Sequence, residues 1–161
     1  MKICNSEAMK LIKELEMQKR SLLYTESSRC TVSYKEDEKK SPSHYDYFET
    51  RKKIAELNGQ VRKIKNLLAK ANCTVLVDDF DMTIGEALVY LAQLNGEYDR
   101  LCTLSENEKL SRRITVNGVL EYTETLYDPE QAEADKVALH QKICKLQVAI
   151  DRANLNSFIE L

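Results

Sequence analysis

The side chains able to do chemistry are few and scattered along the chain. Its 161 residues include two histidines and five cysteines. A di-iron bundle needs a Glu-x-x-His pair on facing helices. Three residues before His140 stands Val137, and three before His44 stands Ser41, so neither histidine has that partner. Cys4, Cys30, Cys73, Cys102 and Cys144 are isolated, without the close pairing through which thiolates clasp zinc. The glycines at 59, 85, 96 and 118 stand alone, so no glycine-rich loop can wrap its N–H groups around a phosphate. No serine or cysteine lies in a nucleophile motif with a base. His140 follows the apolar Leu139 and reads as a partly buried helix residue, while Cys102 and Cys144 read as packing residues. A non-enzymatic role is favoured, and no catalytic residue, cofactor or metal is expected.

Two sets of polar side chains remain. Arg112, Arg113, Glu121, Tyr122, Glu124, Tyr127 and Asp128 gather in one stretch, where Arg–carboxylate pairs at a subunit boundary would set register. A solvated hairpin with ordinary surface charges is the plainer reading of the same residues. The second set is Lys52, Lys53, Arg62, Lys63, Lys65 and Lys70. Residues 1–72 hold 16 Lys and Arg against 10 Asp and Glu, net +6, while residues 73–161 hold 8 against 16, net −8. A basic half can attract nucleic acid or another polyanion. The basic residues are not interleaved with aromatic ones as a single-strand binder requires, so packing of the basic half against the acidic half is favoured.

The elements that must position these groups are helices. In IAELNGQVRKIKNLLAKAN, Ile54, Leu57, Val61, Ile64, Leu68 and Ala71 recur at three- and four-residue steps, a narrow coiled-coil seam. The spacing returns in LHQKICKLQVAIDRAN as Leu139, Ile143, Leu146, Ile150 and Ala153, with Asn154 standing where Asn72 stood. Ala8, Ile12, Leu15 and Leu22 match Ala87, Leu91, Leu94 and Leu101 at a constant offset of 79. In both stripes the apolar pattern breaks at one turn, at Gln18–Lys19 and at Glu97–Tyr98. Such a break marks either a polar layer or, more simply, helices that splay toward their tips. Truncating Leu57 or Leu139 to Ala as a core residue is expected to cost about 2–5 kcal/mol.

Local signals fill in the ends. Asn5 or Ser6 caps the first helix, Asp46 the second, and Thr83 with Glu86 forms a capping box for the third. Asp128 caps the fourth, with Pro129 at its first position. Asn72 and Asn154 are read as left-handed helix ends. Cys30, Val32 and Tyr34 alternate as in a short strand, and the charged run from Lys35 to Lys40 with Ser41 and Pro42 reads as a mobile tip. Asn117–Gly118 suits a type I′ turn between strands Arg113–Val116 and Val119–Leu126. CTVLVDDFDM and LNSFIEL read as extended arms, whose unpaired edges invite pairing with each other or with a neighbouring subunit.

Composition agrees with a helical chain: 43% hydrophobic, 31% charged, four glycines and two prolines disfavour an all-β fold. MKICNSEAMKLIKEL lacks the apolar core of a signal peptide, and ALVYLAQL is too short to span a bilayer. Five cysteines without a close pair fit reduced thiols. A cytoplasmic protein without membrane contact is expected.

Taken in order, SEAMKLIKELEMQKRSL, AKANCTVLVDDFDMTIGEALVYLAQL, LEYTETLYD and LQVAIDRANLNSFIEL resemble an uncharacterised family of bacterial and phage helical coiled-coil proteins, some labelled septicolysin. Leu155 stands where members typically carry Trp, and Val89–Tyr90 where they carry an Arg pair. The resemblance implies a helical, oligomeric protein. The cytolysin label implies secretion and membrane insertion, for which these residues give no basis.

The expectation is thus a mostly α chain, a single domain over residues 1–161. It has four long helices as two pseudo-repeated antiparallel helical hairpins, with short β-hairpin-like tips and extended arms. The first hairpin spans 5–72, an extended connector 73–82, the second hairpin 83–154 and a C-terminal arm 155–161. The favoured function is a structural or interaction protein that self-assembles into a homo-oligomer. The alternative is a polyanion binder using the basic first hairpin.

Overall fold

The structure, a computed structural model, describes residues 1–39 and 45–161. His44 and the end of the expected charged tip, Lys40 to Pro42, lie outside the described residues. Four helices carry most of the rest: α1 (Asn5–Arg29), α2 (Tyr47–Thr74), α3 (Ile84–Ser105) and α4 (Pro129–Asn156). Three antiparallel two-stranded ladders accompany them. These are β1 (Lys2–Cys4) with β6 (Phe158–Glu160), β2 (Leu76–Val77) with β3 (Met82–Thr83), and β4 (Leu110–Ile114) with β5 (Leu120–Glu124). The chain divides into two compact units, Met1–Thr74 with Asn154–Leu161, and Val75–Ala153.

In the first unit the cap of α1 lies one residue before Asn5, the earlier of the two expected caps. Cys4 has extended backbone, its Sγ accepts the N–H of Glu7 at 3.4 Å, and Glu7 Oε2 accepts the N–H of Cys4 at 2.8 Å. A thiol thus fills the place that Ser or Thr takes in a capping box. That backbone hydrogen bond from Cys4 holds the Glu7 carboxyl below the usual range. Asn5, expected as the cap, lies inside the helix and is fully buried. α1 packs against α2, and the residues that meet run in opposite order: Glu16 faces Lys65, and Glu26 accepts from the hydroxyl of Tyr45. Ala8 and Leu15 are buried on α1, and Val61, Ile64 and Ala71 on α2. Ile54, Leu57 and Leu68 of the expected seam are only half-buried.

The C-terminal arm belongs to this unit. It pairs Lys2 with Glu160, Ile3 with Ile159 and Cys4 with Phe158, and buries Ile159. Neither Asn72 nor Asn154 ends a helix in the left-handed region, because α2 continues to Thr74 and α4 to Asn156. Asn154 is instead buried, and its Oδ1 accepts from Asn5 Nδ2 at 3.5 Å, while Asn5 Oδ1 has no partner. No strand forms over Cys30–Tyr34 among the described residues, since alternation alone supplies no partner ladder.

In the second unit the core joins Ile84, Ala87 and Leu94 of α3 to Ile143, Leu146, Ala149, Ile150 and Ala153 of α4, with Val77 of β2. Burying a side chain such as Leu146, 0% exposed, contributes about 1.5–3 kcal/mol. The capping box forms as its spacing predicts: Thr83 Oγ1 accepts from Glu86 N at 3.3 Å, and Glu86 Oε2 accepts from Thr83 N at 2.8 Å. Between β2 and β3 the turn places Asp79 at φ 68° and Asp81 at φ 46°. Asp tolerates that region because its short side chain can bond locally.

The β4–β5 hairpin turns differently from the expected type I′. That turn needs positive φ at both central residues, and here Gly118 alone has it, at 76°. Gly118 N donates to Thr115 O at 2.8 Å, and Thr115 N to Val119 O at 2.8 Å. The loop is therefore the three-residue Val116–Gly118, a tight turn closed by a glycine bulge. The strands are correspondingly Leu110–Ile114 and Leu120–Glu124.

Candidate functional site

The six residues expected at a subunit boundary divide by what they touch. Arg113 Nε donates to Glu121 Oε2 at 2.7 Å, a cross-strand pair inside the hairpin. The hydroxyl of Tyr127 donates to Leu104 O at 2.9 Å and accepts from Asn107 Nδ2 at 2.6 Å, tying α3 to the hairpin base. Asp128 Oδ1 accepts from Glu130 N at 3.1 Å and caps α4. These four residues have work within the chain. Arg112 and Tyr122 are left, directly opposite each other and exposed.

The basic set lies on α2 with all six side chains exposed. Lys53 Nζ pairs with Glu49 at 2.6 Å, which raises the lysine's pKa, and Lys65 reaches Glu16 at 4.0 Å. Lys52, Arg62, Lys63 and Lys70 make no ion pair among the described residues. Lys52, Lys63 and Lys70 recur at 11 and 7 residues, which puts them on one line along the helix, away from the seam.

Two open grooves run beside the seams. One, about 370 Å³, is lined by Gln18, Ser21 and Leu22 of α1 and by Lys53, Glu56, Leu57 and Gln60 of α2. The other, about 410 Å³, is lined by Glu97, Arg100 and Leu101 of α3 and by Asp135, Ala138, Leu139 and Lys142 of α4. Each falls where the apolar stripe breaks. Each has leucines at its floor, and Leu22, Leu57 and Leu139 are only half-buried. Arg100 Nε donates to Glu97 Oε2 at 2.8 Å on the rim of the second, and that bond lowers the Glu97 pKa.

Beside the second break lies a polar band that sequence reasoning missed. A hydrogen bond with Cys102 pushes the Tyr98 hydroxyl up from its ordinary pKa. Lys136 of α4 pairs with Glu133 and donates to Ser105 Oγ at 3.4 Å. The bond to Glu133 raises the pKa of Lys136, and the same bond lowers that of Glu133. A lysine held more firmly protonated is the reverse of what a nucleophile or general base requires. The aromatic ring of Tyr98 lies 5.5 Å from that of His140, whose Nε2 is 3.7 Å from Cys144 Sγ. His140, expected to be partly buried, and Cys144, expected to be a packing residue, are both exposed; Cys102 is half-buried. The signal that could have located this band is the four-residue step from Tyr98 to Cys102 at the stripe break.

Among the described residues no group of three or more His, Cys, Asp or Glu side chains converges to hold a metal. No helix there is long and apolar enough to cross a membrane.

No protein-family model and no curated protein matches the chain. Among solved structures it is similar to a functionally unknown conserved protein from Corynebacterium diphtheriae. The TM-score is 0.72 at 14% identity, over 99% of this chain and 100% of that one. At that identity the likeness establishes a shared fold: a mostly helical chain with small antiparallel strand pairs.

Proposed function

We propose that the chain is a non-enzymatic structural or interaction protein, built from two copies of one antiparallel helical hairpin, that self-assembles into a homo-oligomer. The duplication is supported by register. Adding 79 to α1 residues and 82 to α2 residues converts the lining of the first groove, residue for residue, into that of the second. The same offsets carry the Cys4–Phe158 pair of the first ladder onto Thr83–Leu76, and Ile3–Ile159 onto Met82–Val77. The capping boxes Cys4–Glu7 and Thr83–Glu86 correspond as well. Independent elements would not keep both offsets at grooves, ladders and caps together.

Assembly rests chiefly on one observation: the half-covered leucine floors of the two grooves. Each helix pair buries its seam fully toward one end, at Ile64 and Leu146, and leaves Leu57 and Leu139 only partly buried toward the other. A groove floored by leucines that are not sealed gains from a covering layer, and a second copy can supply one. The family resemblance, with its implied oligomer, points the same way.

The test replaces Leu57 and Leu139 by Lys. Leu57 and Leu139 line open grooves, so the lysine stem can lie in the groove while its head reaches water, and the fold is expected to survive. Sedimentation velocity is expected to show a smaller species, with helical circular dichroism retained. An unchanged sedimentation coefficient for both variants would contradict assembly through the seams.

A further inference from the structure

We propose that the apolar face of the β4–β5 hairpin docks on the same face of a second copy, about a two-fold axis parallel to the strands. The proposal rests on the self-assembly reading and names a contact within it. Directly opposite residues of an antiparallel ladder point to the same face. One face therefore carries Leu110, Arg112, Ile114, Leu120, Tyr122 and Glu124, and the other Ser111, Arg113, Glu121 and Thr123.

The polar face is satisfied within the chain by the Arg113–Glu121 bond. The apolar face is not. Leu110 is 59% exposed, Ile114 74% and Tyr122 59%, and neither Arg112 nor Glu124 has an ion-pair partner among the described residues. An isolated two-stranded sheet is marginal in water, and among the described residues no third strand joins this one, so covering its apolar face stabilises it.

Charge identifies the cover. The face holds one cation, Arg112 on β4, and one anion, Glu124 on β5. A two-fold parallel to the strands lays β4 of each copy on β5 of the other. Ile114 then meets Leu120 of the second copy, and Arg112 lies over its Tyr122 ring, within reach of the adjacent Glu124. Both contacts occur twice, so the face is complementary to itself and the contact closes on two copies. A foreign surface of one sign would leave Arg112 or Glu124 facing its like. So small a face falls short of the roughly 800 Å² per partner of a stable interface. The hairpins set register, and the helical grooves supply the remaining area.

The test is a charge exchange, with association followed by sedimentation equilibrium and folding by circular dichroism. Arg112→Glu and Glu124→Arg are each expected to weaken association about tenfold or more. The double exchange restores it, because opposite charges again meet across the two-fold. Two singles without effect, or a double no better than either single, would overturn the proposal. If the seam variants dissociate the protein while the hairpin variants do not, this inference alone falls. If the hairpin variants dissociate it while the seam variants do not, the seam reading falls and this one stands. A chain that is monomeric throughout, with a free hairpin, removes both.

Discussion

Truncating two leucines of one helix, Leu146 and Leu139, should have unequal consequences. Leu146 is 0% exposed at the centre of the second unit's core, and Leu139 packs at its margin, half-buried. Leu→Ala removes about three methylene equivalents, roughly 2.5 kcal/mol of transfer free energy when the side chain is fully buried. At Leu146 a cavity penalty adds to this, giving about 3–5 kcal/mol. At Leu139 most of the transfer term is at stake but no enclosed cavity forms, so the cost in a dissociated chain is about 1.5–2.5 kcal/mol. This lies at the lower end of the core cost that seam spacing alone assigns to Leu139. Where a second copy covers the groove, the cost at Leu139 should climb toward the core range. The assay is urea unfolding, followed by far-ultraviolet circular dichroism, at dilute and concentrated protein. A Leu139→Ala cost equal to that of Leu146→Ala in dilute protein would show the seam already sealed within one chain. A Leu139→Ala cost independent of concentration would remove the case for a covering copy.

Other outcomes follow from named contacts. Thr83→Ala is expected to destabilise α3 by about 1 kcal/mol in denaturant titration, by loss of its N-cap. Glu86 is held below its ordinary value of 4.5 chiefly by the backbone hydrogen bond from Thr83. Its contribution is therefore present above pH 4.5 and lost as pH falls through the lower folded value. Glu86→Gln should flatten that acid limb of melting temperature against pH; an unaltered limb would discount the box. Asn5→Ala strands the buried Asn154 Oδ1 and should cost about 1–3 kcal/mol, whereas Leu at both positions should be near neutral, judged by thermal melts. Replacing Lys52, Lys63 and Lys70 together by Ala should leave the oligomer's mass unchanged. Loss of a nucleic-acid complex with a steep salt dependence would instead favour the polyanion role.

The seams were legible in the sequence because a 3.6-residue period needs no knowledge of partners. Val61, Ile64, Leu94, Ile143 and Leu146 are buried where that period places them. Period alone does not say how far two helices stay in contact, so the incomplete burial of Leu57 and Leu139 was not readable. Caps built from common side chains, Thr83, Asp46 and Asp128, were visible, while Cys4 was not, because a thiol is a weak acceptor rarely used there. The buried Asn5–Asn154 pair joins the two ends of the chain, and no local signal predicts such a contact. At the hairpin, Asn117–Gly118 announced a turn, but a glycine bulge satisfies the same dipeptide as a type I′ turn. The polar band escaped notice because Ser105 and Lys136 meet only through the packing of α3 on α4.

The measurement that bears most directly on self-assembly is the mass by light scattering after size exclusion, at low and high salt, on protein free of nucleic acid. Apolar seams are not screened by ions, so a defined oligomer whose mass is the same in both salts is predicted. A monomer of 18.6 kDa in both would contradict the account.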